Sequence, residues 1–286
     1  WFTAKSYISI KIDGSPAIVW GTNPKTGNFF VGTKSVFNKR KIMINESHED
    51  IDQNHGHLPK VARILHNCFD NLPRTHRILQ GDFLGYGGDN VYQPNTIAYA
   101  FPHIIEQNVI IAPNTEYVKG KWRDEGYDLR GSIKKPLYGK LDSTDEVLFW
   151  HPDVTIKEHR DDIEDLCNFA RQMSTLCKFV DDKEAAQLKV ELNARIREGI
   201  EIDDDVLEEI AFDREIDINV LRLWQLVRSI KCDLFAYISE HEDVECYIMG
   251  EDLGHEGYVM HNEFGSFKIV NRGVFSYANF VIEKIR

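Results

Sequence analysis

The sequence has no run approaching the roughly 20 apolar residues of a membrane-spanning helix, and no charged-then-apolar leader opens it. No C-x-x-C pair occurs among its five cysteines, Cys68, Cys167, Cys177, Cys232 and Cys246, which are odd in number and widely spaced. That pattern excludes a zinc ribbon and a disulfide scaffold, and reads as reduced thiols in a cytoplasmic compartment. Neither G-x-x-x-x-G-K-[ST] nor G-x-G-x-x-G is present, so a nucleotide would not be held by a P-loop or a Rossmann turn. Internal repeats and low-complexity tracts are also missing. The chain starts at Trp1 rather than Met, and further sequence upstream is expected.

What is present suffices for a large core. A chain of 286 residues with 42% hydrophobic content suggests one large domain, or one domain plus an appendage. The net charge of −12 argues against a nucleic-acid partner until its distribution is considered. Residues 141–246 hold 28 Asp and Glu against 12 Lys and Arg, which leaves 18 against 22 in the remainder. The acidity is confined to one segment, and the other part can still attract phosphates.

Residues 6–12, 16–22 and 28–33 alternate like strands, with a hairpin turn at Asn23-Pro24-Lys25-Thr26-Gly27-Asn28. Helical spacing of Leu58, Val61, Ile64, Leu65 and Phe69 predicts a helix over 57–69. Strands are expected near 76–84, 95–101 and 108–113, then helices from about 156 to 238. Within the helices, Gly199 reads as a stop and Asp203–Asp205 as a fresh start. Strands return at "CYIMG", "HEGYVMHN" and "SFKIVN", before an amphipathic helix over 273–285. The expected fold is α+β: an antiparallel-sheet domain over 1–140 and 240–286, interrupted by an acidic all-helical insertion over 141–239. Asn54-His55-Gly56-His57 reads as a solvated loop, because no carboxylate or cysteine stands at metal-ligand spacing from it.

In "SIKIDGS", Lys11 ends a strand just before the Asp13-Gly14 turn. A lysine there can attack a phosphate if its amine is neutral, which neighbouring cations favour against an ordinary pKa of about 10.4. Such chemistry needs a second cation, carboxylates for a metal ion and for ribose hydroxyls, and an aromatic face. Asp82 in "LQGDFLG", Tyr99 and Phe101 in "IAYAF", Glu256 in "HEGYVM" and Lys268 in "SFKIV" supply these groups in order. Period-two alternation places Glu256 and Tyr258 on one face of their strand. Taken singly, each has a plainer role. Lys11 is then a strand lysine with its ammonium in water, and Asp82 and Glu256 are turn-side carboxylates. Tyr99 and Phe101 are then core aromatics, and Lys34 belongs with Lys39, Arg40 and Lys41 to a solvated basic face.

The ordered series resembles nucleotidyltransferase motifs I, III, IIIa, IV and V of the covalent lysyl-nucleotidyltransferase superfamily. That group includes ATP-dependent polynucleotide ligases and mRNA capping enzymes. Lys11-Ile12-Asp13-Gly14-Ser15 is similar to motif I in the form found in phage-type RNA ligases, with Pro16 where DNA ligases usually carry arginine. Gly32-Thr33-Lys34-Ser35 resembles the short basic motif that follows, Gly81-Asp82-Phe83 motif III, and Glu256-Gly257-Tyr258-Val259 motif IV. Lys268 matches the first lysine of motif V. The resemblance covers residues 5–112 and 245–272.

It implies an antiparallel-sheet, ATP-grasp-like adenylation domain that uses ATP and Mg²⁺. Lys11 would be the adenylated nucleophile, with Ser9, Ile12, Asp13 and Gly14 around it. Asp82 would contact the ribose, Glu256 the metal ion, Lys268 the α-phosphate and Lys34 a further phosphate. Tyr99 or Phe101 would stack on adenine. The implied partner is nucleic acid with 5′-phosphate and 3′-hydroxyl ends, RNA above DNA, with a protein partner at the acidic helices and no membrane. Two departures stand out: Asp82 replaces the usual glutamate, and Val270 replaces the second lysine of motif V. With 18 residues after Lys268 in this sequence, the OB-fold domain of capping enzymes and DNA ligases is not expected. A GTP-dependent capping-type enzyme and a non-catalytic nucleotide- or protein-binding module are the alternatives.

Overall fold

Alternating side chains and helix caps produce fifteen strands and six α-helices among the residues that the computed structural model describes. Those residues are 6–12, 14–119, 129–152, 154–157, 161–240, 244–248, 251–252 and 257–270. In chain order they form β1 (Tyr7–Ile10), β2 (Ala17–Thr22), β3 (Phe29–Gly32), α1 (His48–His55) and α2 (Pro59–Asn71). Next come β4 (Ile78–Gly85), β5 (Val91–Tyr92), β6 (Ile97–Ala100), β7 (Val109–Lys119), β8 (Ser132–Pro136), β9 (Val147–Phe149) and β10 (Val154–Ile156). The helices α3 (Asp161–Ser174), α4 (Asp182–Arg197), α5 (Asp204–Asp213) and α6 (Ile218–Asp233) follow. Last are β11 (Ile238–Glu240), β12 (Glu245–Ile248), β13 (Glu251–Asp252), β14 (Gly257–Asn262) and β15 (Gly265–Val270). The protein is a mixed α+β chain whose strands pair antiparallel, except that β9 runs parallel to β7. The helix expected over 273–285 lies outside the described residues.

The chain divides into two compact units. One comprises Ile12–Pro152 and Glu242–His255. Its larger sheet has the order β3-β2-β4-β7-β8, with β9 on β7. Period-two alternation turns Ile18, Trp20, Val31, Leu79 and Phe83 towards Ile51 of α1 and Ala62, Leu65 and Cys68 of α2. Trp20 is fully buried and stacks on Phe149 at 5.9 Å. The opposite sheet face is covered at one end by Val36, from the 3-10 turn Lys34–Phe37, and by Leu129. A second sheet of order β13-β12-β6-β5 completes this unit.

Two side-chain clusters brace the unit. His48 of α1 meets His66 of α2 Nδ1 to Nδ1 at 2.7 Å, and each ring's Nε2 contacts a carboxylate of the other helix, Asp70 and Asp52. His55, expected in a solvated loop, instead closes α1 and is buried. Burial, with the charges of His57 and Lys41, pushes its imidazole below the usual range.

The second cluster closes the β2–β3 hairpin: Glu46 accepts from Asn23 and Asn28 at 2.6 and 2.9 Å, and from Thr26. Burial pushes the Glu46 carboxyl up, but the hydrogen bonds together outweigh this and hold it below the usual carboxylate range. Asn23 is itself buried. Glu46→Ala is therefore expected to lower stability by about 2 kcal/mol, since it strands a buried amide and removes charge-assisted bonds. A urea midpoint unchanged from the parent protein would show that the hairpin holds without this carboxylate.

The other unit comprises Trp1–Lys11, Asp153–His241 and Glu256–Arg286. Here α3 and α6 pack on the three-stranded sheet β1-β14-β15, burying Ile8, Tyr258, Met260 and Ile269 against Ile163, Ile230 and Leu234. Leu188, Leu192, Leu207, Ile210 and Leu221 form a second core among α4, α5 and α6. The side chains of Asp181, Asp203 and Asp217 cap α4, α5 and α6. Gly199, at φ 76°, ends α4's path as the sequence leads one to expect. Arg214, just past α5, ties back to Glu184 and Glu191 of α4 at 2.6 and 2.7 Å.

Candidate functional site

The helix-facing side of the β1-β14-β15 sheet is committed to the core, so the other side is where chemistry can sit. Register fixes its rows: Ser9 lies opposite Val259, which lies opposite Lys268. Lys11 extends the ladder one residue past β1, its backbone N–H donating to the Gly257 carbonyl at 2.8 Å. Two residues apart in an extended segment, Ser9 and Lys11 project to the same side, which is also Lys268's side. Roughly 10 Å, two strand spacings, separates the Ser9 and Lys268 strands. The Ser9 hydroxyl donates to the Val259 carbonyl at 3.5 Å, and the Lys268 ammonium arm is exposed. In the next row Tyr7 stacks on His261, whose Nδ1 meets the Ser266 hydroxyl at 2.8 Å. The sheet thus gathers Ser9, Lys11 and Lys268 on one face. Tyr258 instead points to the helix side, against Phe235. Glu256 and Asp13 lie outside the described residues.

In the other unit, the Gly14–Ser15 turn closes directly on Asp82. The Ser15 N–H donates to the Phe83 carbonyl at 3.0 Å, and the Phe83 N–H donates to the Pro16 carbonyl at 3.1 Å. A Cβ on Gly14 would stand 2.7 Å from the Asp82 Cβ and 2.9 Å from the Phe83 oxygen, so only glycine allows this approach. Ile12 precedes this turn and is half-buried. Asp82 lies opposite Ala17 on β2. The chain leaves β3 at Gly32, opposite Val19, and continues towards the same end of the sheet. There Lys34 opens its 3-10 turn, exposed, behind the Thr33 cap.

Asp82 is joined by a polar chain that sequence reading missed. The Tyr117 hydroxyl donates to Gln80 Oε1 at 2.8 Å, and Gln80 Nε2 donates to Asn114 Oδ1 at 3.3 Å. The Thr115 hydroxyl donates to the same oxygen at 2.7 Å, and Asn114 Nδ2 donates to Asp82 Oδ2 at 2.9 Å. Burial pushes the Tyr117 phenol up, which keeps it a donor. Asn114 sits at a β-bulge: Gln80 pairs with Thr115 and Gly81 with Pro113, leaving Asn114 outside the ladder. Two signals were available. Gln80 shares Asp82's strand face by period two, and Pro113-Asn114 interrupts a strand pattern.

Tyr99 and Phe101 are both buried, and both meet the Trp150 ring edge-on, at 5.2 and 5.1 Å. Tyr92 adds a third edge contact, to Phe101, at 5.8 Å. The structure assigns both rings to the core.

Fold and site together define a mixed α+β protein with two antiparallel-sheet units. One carries a lysine-bearing sheet face and the other a carboxylate at a glycine turn. The chain belongs to the family of unknown function DUF6267, whose model matches residues 2–211 and 201–284. No curated protein and no solved structure matches the chain. Among the described residues no helix is long and apolar enough to cross a membrane.

Proposed function

We propose that this protein is an ATP-dependent nucleic-acid ligase, RNA above DNA, that works through a covalent lysyl-AMP at Lys11. The observation that carries this reading is the shared sheet face of Ser9, Lys11 and Lys268, whose reverse is spent on the core. Backbone pairing on a three-stranded sheet holds the Lys11 Cα firmly, as a nucleophile requires. The Gly14–Asp82 contact within the other unit supports it, because a Cβ at 14 would clash with Asp82, so the glycine lets the K-x-D-G turn lie directly against that carboxylate's residue.

In this reading the neutral Lys11 amine attacks the α-phosphorus of ATP. A P–N bond forms, the P–O bond to pyrophosphate breaks, and the amine releases a proton. The adenylyl group then passes to a 5′-phosphate, and a 3′-hydroxyl displaces AMP. Lys268 would neutralise charge on the α-phosphate and Lys34 on a further phosphate, Asp82 would accept from ribose hydroxyls, and Ser9 and Ile12 would serve near the base, with Asp13 and Gly14 among the nucleotide-binding residues. By the family resemblance Glu256 would help to hold Mg²⁺, which would supply charge neutralisation on the phosphates. Tyr99 and Phe101 have no part, since their rings fill the core. The helices α3–α6 are read as the acidic insertion, a surface for a protein partner, and the activity is placed in the cytoplasm.

Incubation with α-labelled ATP and Mg²⁺ is expected to give a labelled band that Lys11→Ala abolishes. Lys268→Ala should slow its formation at least about 100-fold. A band formed only from labelled GTP would reassign the protein to capping-type chemistry. Equal labelling of Lys11→Ala, or none of the parent protein, would overturn the nucleophile.

A further inference from the structure

We propose that Asn114 is a specificity-determining residue that makes the Asp82 site selective for ribonucleotides over deoxyribonucleotides. The inference rests on the ligase reading and deepens it, by naming the sugar the site selects and the residue responsible. A vicinal diol presents hydroxyls that both donate and accept, so it is matched by a carboxylate beside a fixed N–H donor. Asn114 provides that arrangement. Its carbonyl oxygen already accepts from Gln80 and Thr115, so its nitrogen is the atom turned to Asp82. The reversed amide would set two donors against the NH₂ group and an oxygen against the carboxylate, so the hydrogen bonds dictate one orientation.

The network also argues for function over scaffolding. Gln80 and Thr115 are buried at 3% exposure each, on a sheet face where Val19 and Ile78 are apolar. Buried polar side chains weaken a sheet unless every partner is satisfied, and a bulge weakens it further. An apolar pair at 80 and 115 with a regular ladder would fold at least as well. Instead the chain of bonds runs outward to exposed Asn114 and half-exposed Asp82. It also bears on the shorter side chain at 82: the bulge brings a second polar group to the carboxylate, where a longer acid would reach further alone. Asn114's nitrogen keeps one N–H beyond the bond to Asp82 for a sugar oxygen.

The test compares the rates of lysyl-adduct formation from ATP and from 2′-deoxy-ATP, over a range of nucleotide concentrations. The parent protein is expected to prefer ATP by roughly 10- to 100-fold, expressed mainly in KM. Asn114→Ala should shrink that preference about tenfold, and Thr115→Val should shrink it less, because one of two bonds orienting the amide remains. The ratio of two nucleotides on one protein cancels any loss of folded enzyme, so a purely structural role would leave it unmoved. An unchanged ratio in Asn114→Ala overturns this inference and leaves the ligase reading standing. No adduct from either nucleotide in the parent protein overturns the ligase reading itself, and this inference with it.

Discussion

Alanine at Gly257 is expected to lower stability by about 3 kcal/mol and to loosen the backbone that holds Lys11. Gly257 has φ +131°, a conformation L side chains rarely adopt. A Cβ there would fall 2.2 Å from the Ile269 carbonyl oxygen and 3.0 Å from the Val270 Cα. Both belong to backbone in the paired strand β15, so no side chain can swing aside to make room. The same glycine's carbonyl receives the Lys11 N–H at 2.8 Å. Strain at 257 therefore bears on two neighbours at once, Lys11 on one side and β15, with Lys268, on the other. Urea unfolding measures the first effect. Faster hydrogen exchange at the Lys11 amide measures the second. Wild-type stability together with wild-type exchange would mean that β14 tolerates a side chain there, and that the glycine of E-G-x-V has another reason.

That glycine shows what a sequence makes legible and what it hides. Its place after Glu256 carries a resemblance, but the need for it comes from the backbone of Ile269 and Val270 in the paired strand β15. Alternation placed β1, β2, β3, β4 and β6 within a few residues, because each has a buried face and the side-chain period is two. The break between α4 and α5 was legible through Gly199 as a stop and Asp203 as a fresh start. α1 was not, because Ile51 is the one large apolar residue in His48–His55 and no amphipathic stripe exists to count. Pro113 made β7 look finished at 113, whereas a bulge carries the strand on to Lys119. Tyr99 and Phe101 hold a plainer lesson. Two apart, with Phe101 one residue past the end of β6, both are buried, so a core that takes one takes the other. The Tyr117–Gln80–Asn114–Asp82 chain joins β4 to β7 across more than 30 positions, and only the register of that pairing brings it together.

Acid should destabilise the protein through His151 before its carboxylates titrate. The Leu141 backbone N–H donates to His151 Nε2 at 3.1 Å, which requires that nitrogen to carry a lone pair. Burial, with a smaller push from Lys140, lowers this imidazole from 6.5 to about 4. Protonation would turn Nε2 into a donor facing another donor. Above pH 6.5 the ring is neutral in both folded and unfolded chains, and nothing is lost. As pH falls from 6.5 towards 4, the unfolded chain takes up a proton that the folded chain refuses, so stability declines across that window and levels off below it. The full gap is worth roughly 3 kcal/mol, reduced to about 2 kcal/mol by solvent reaching a partly exposed ring. His151→Gln keeps an oxygen for the Leu141 N–H but does not titrate. Measured by urea unfolding at pH 7.5 and pH 4.5, the parent protein should lose about 2 kcal/mol more than this variant. Parallel losses in the two proteins would place the acid sensitivity elsewhere, with buried His55 the next group to replace, since its imidazole is lowered for the same physical reason.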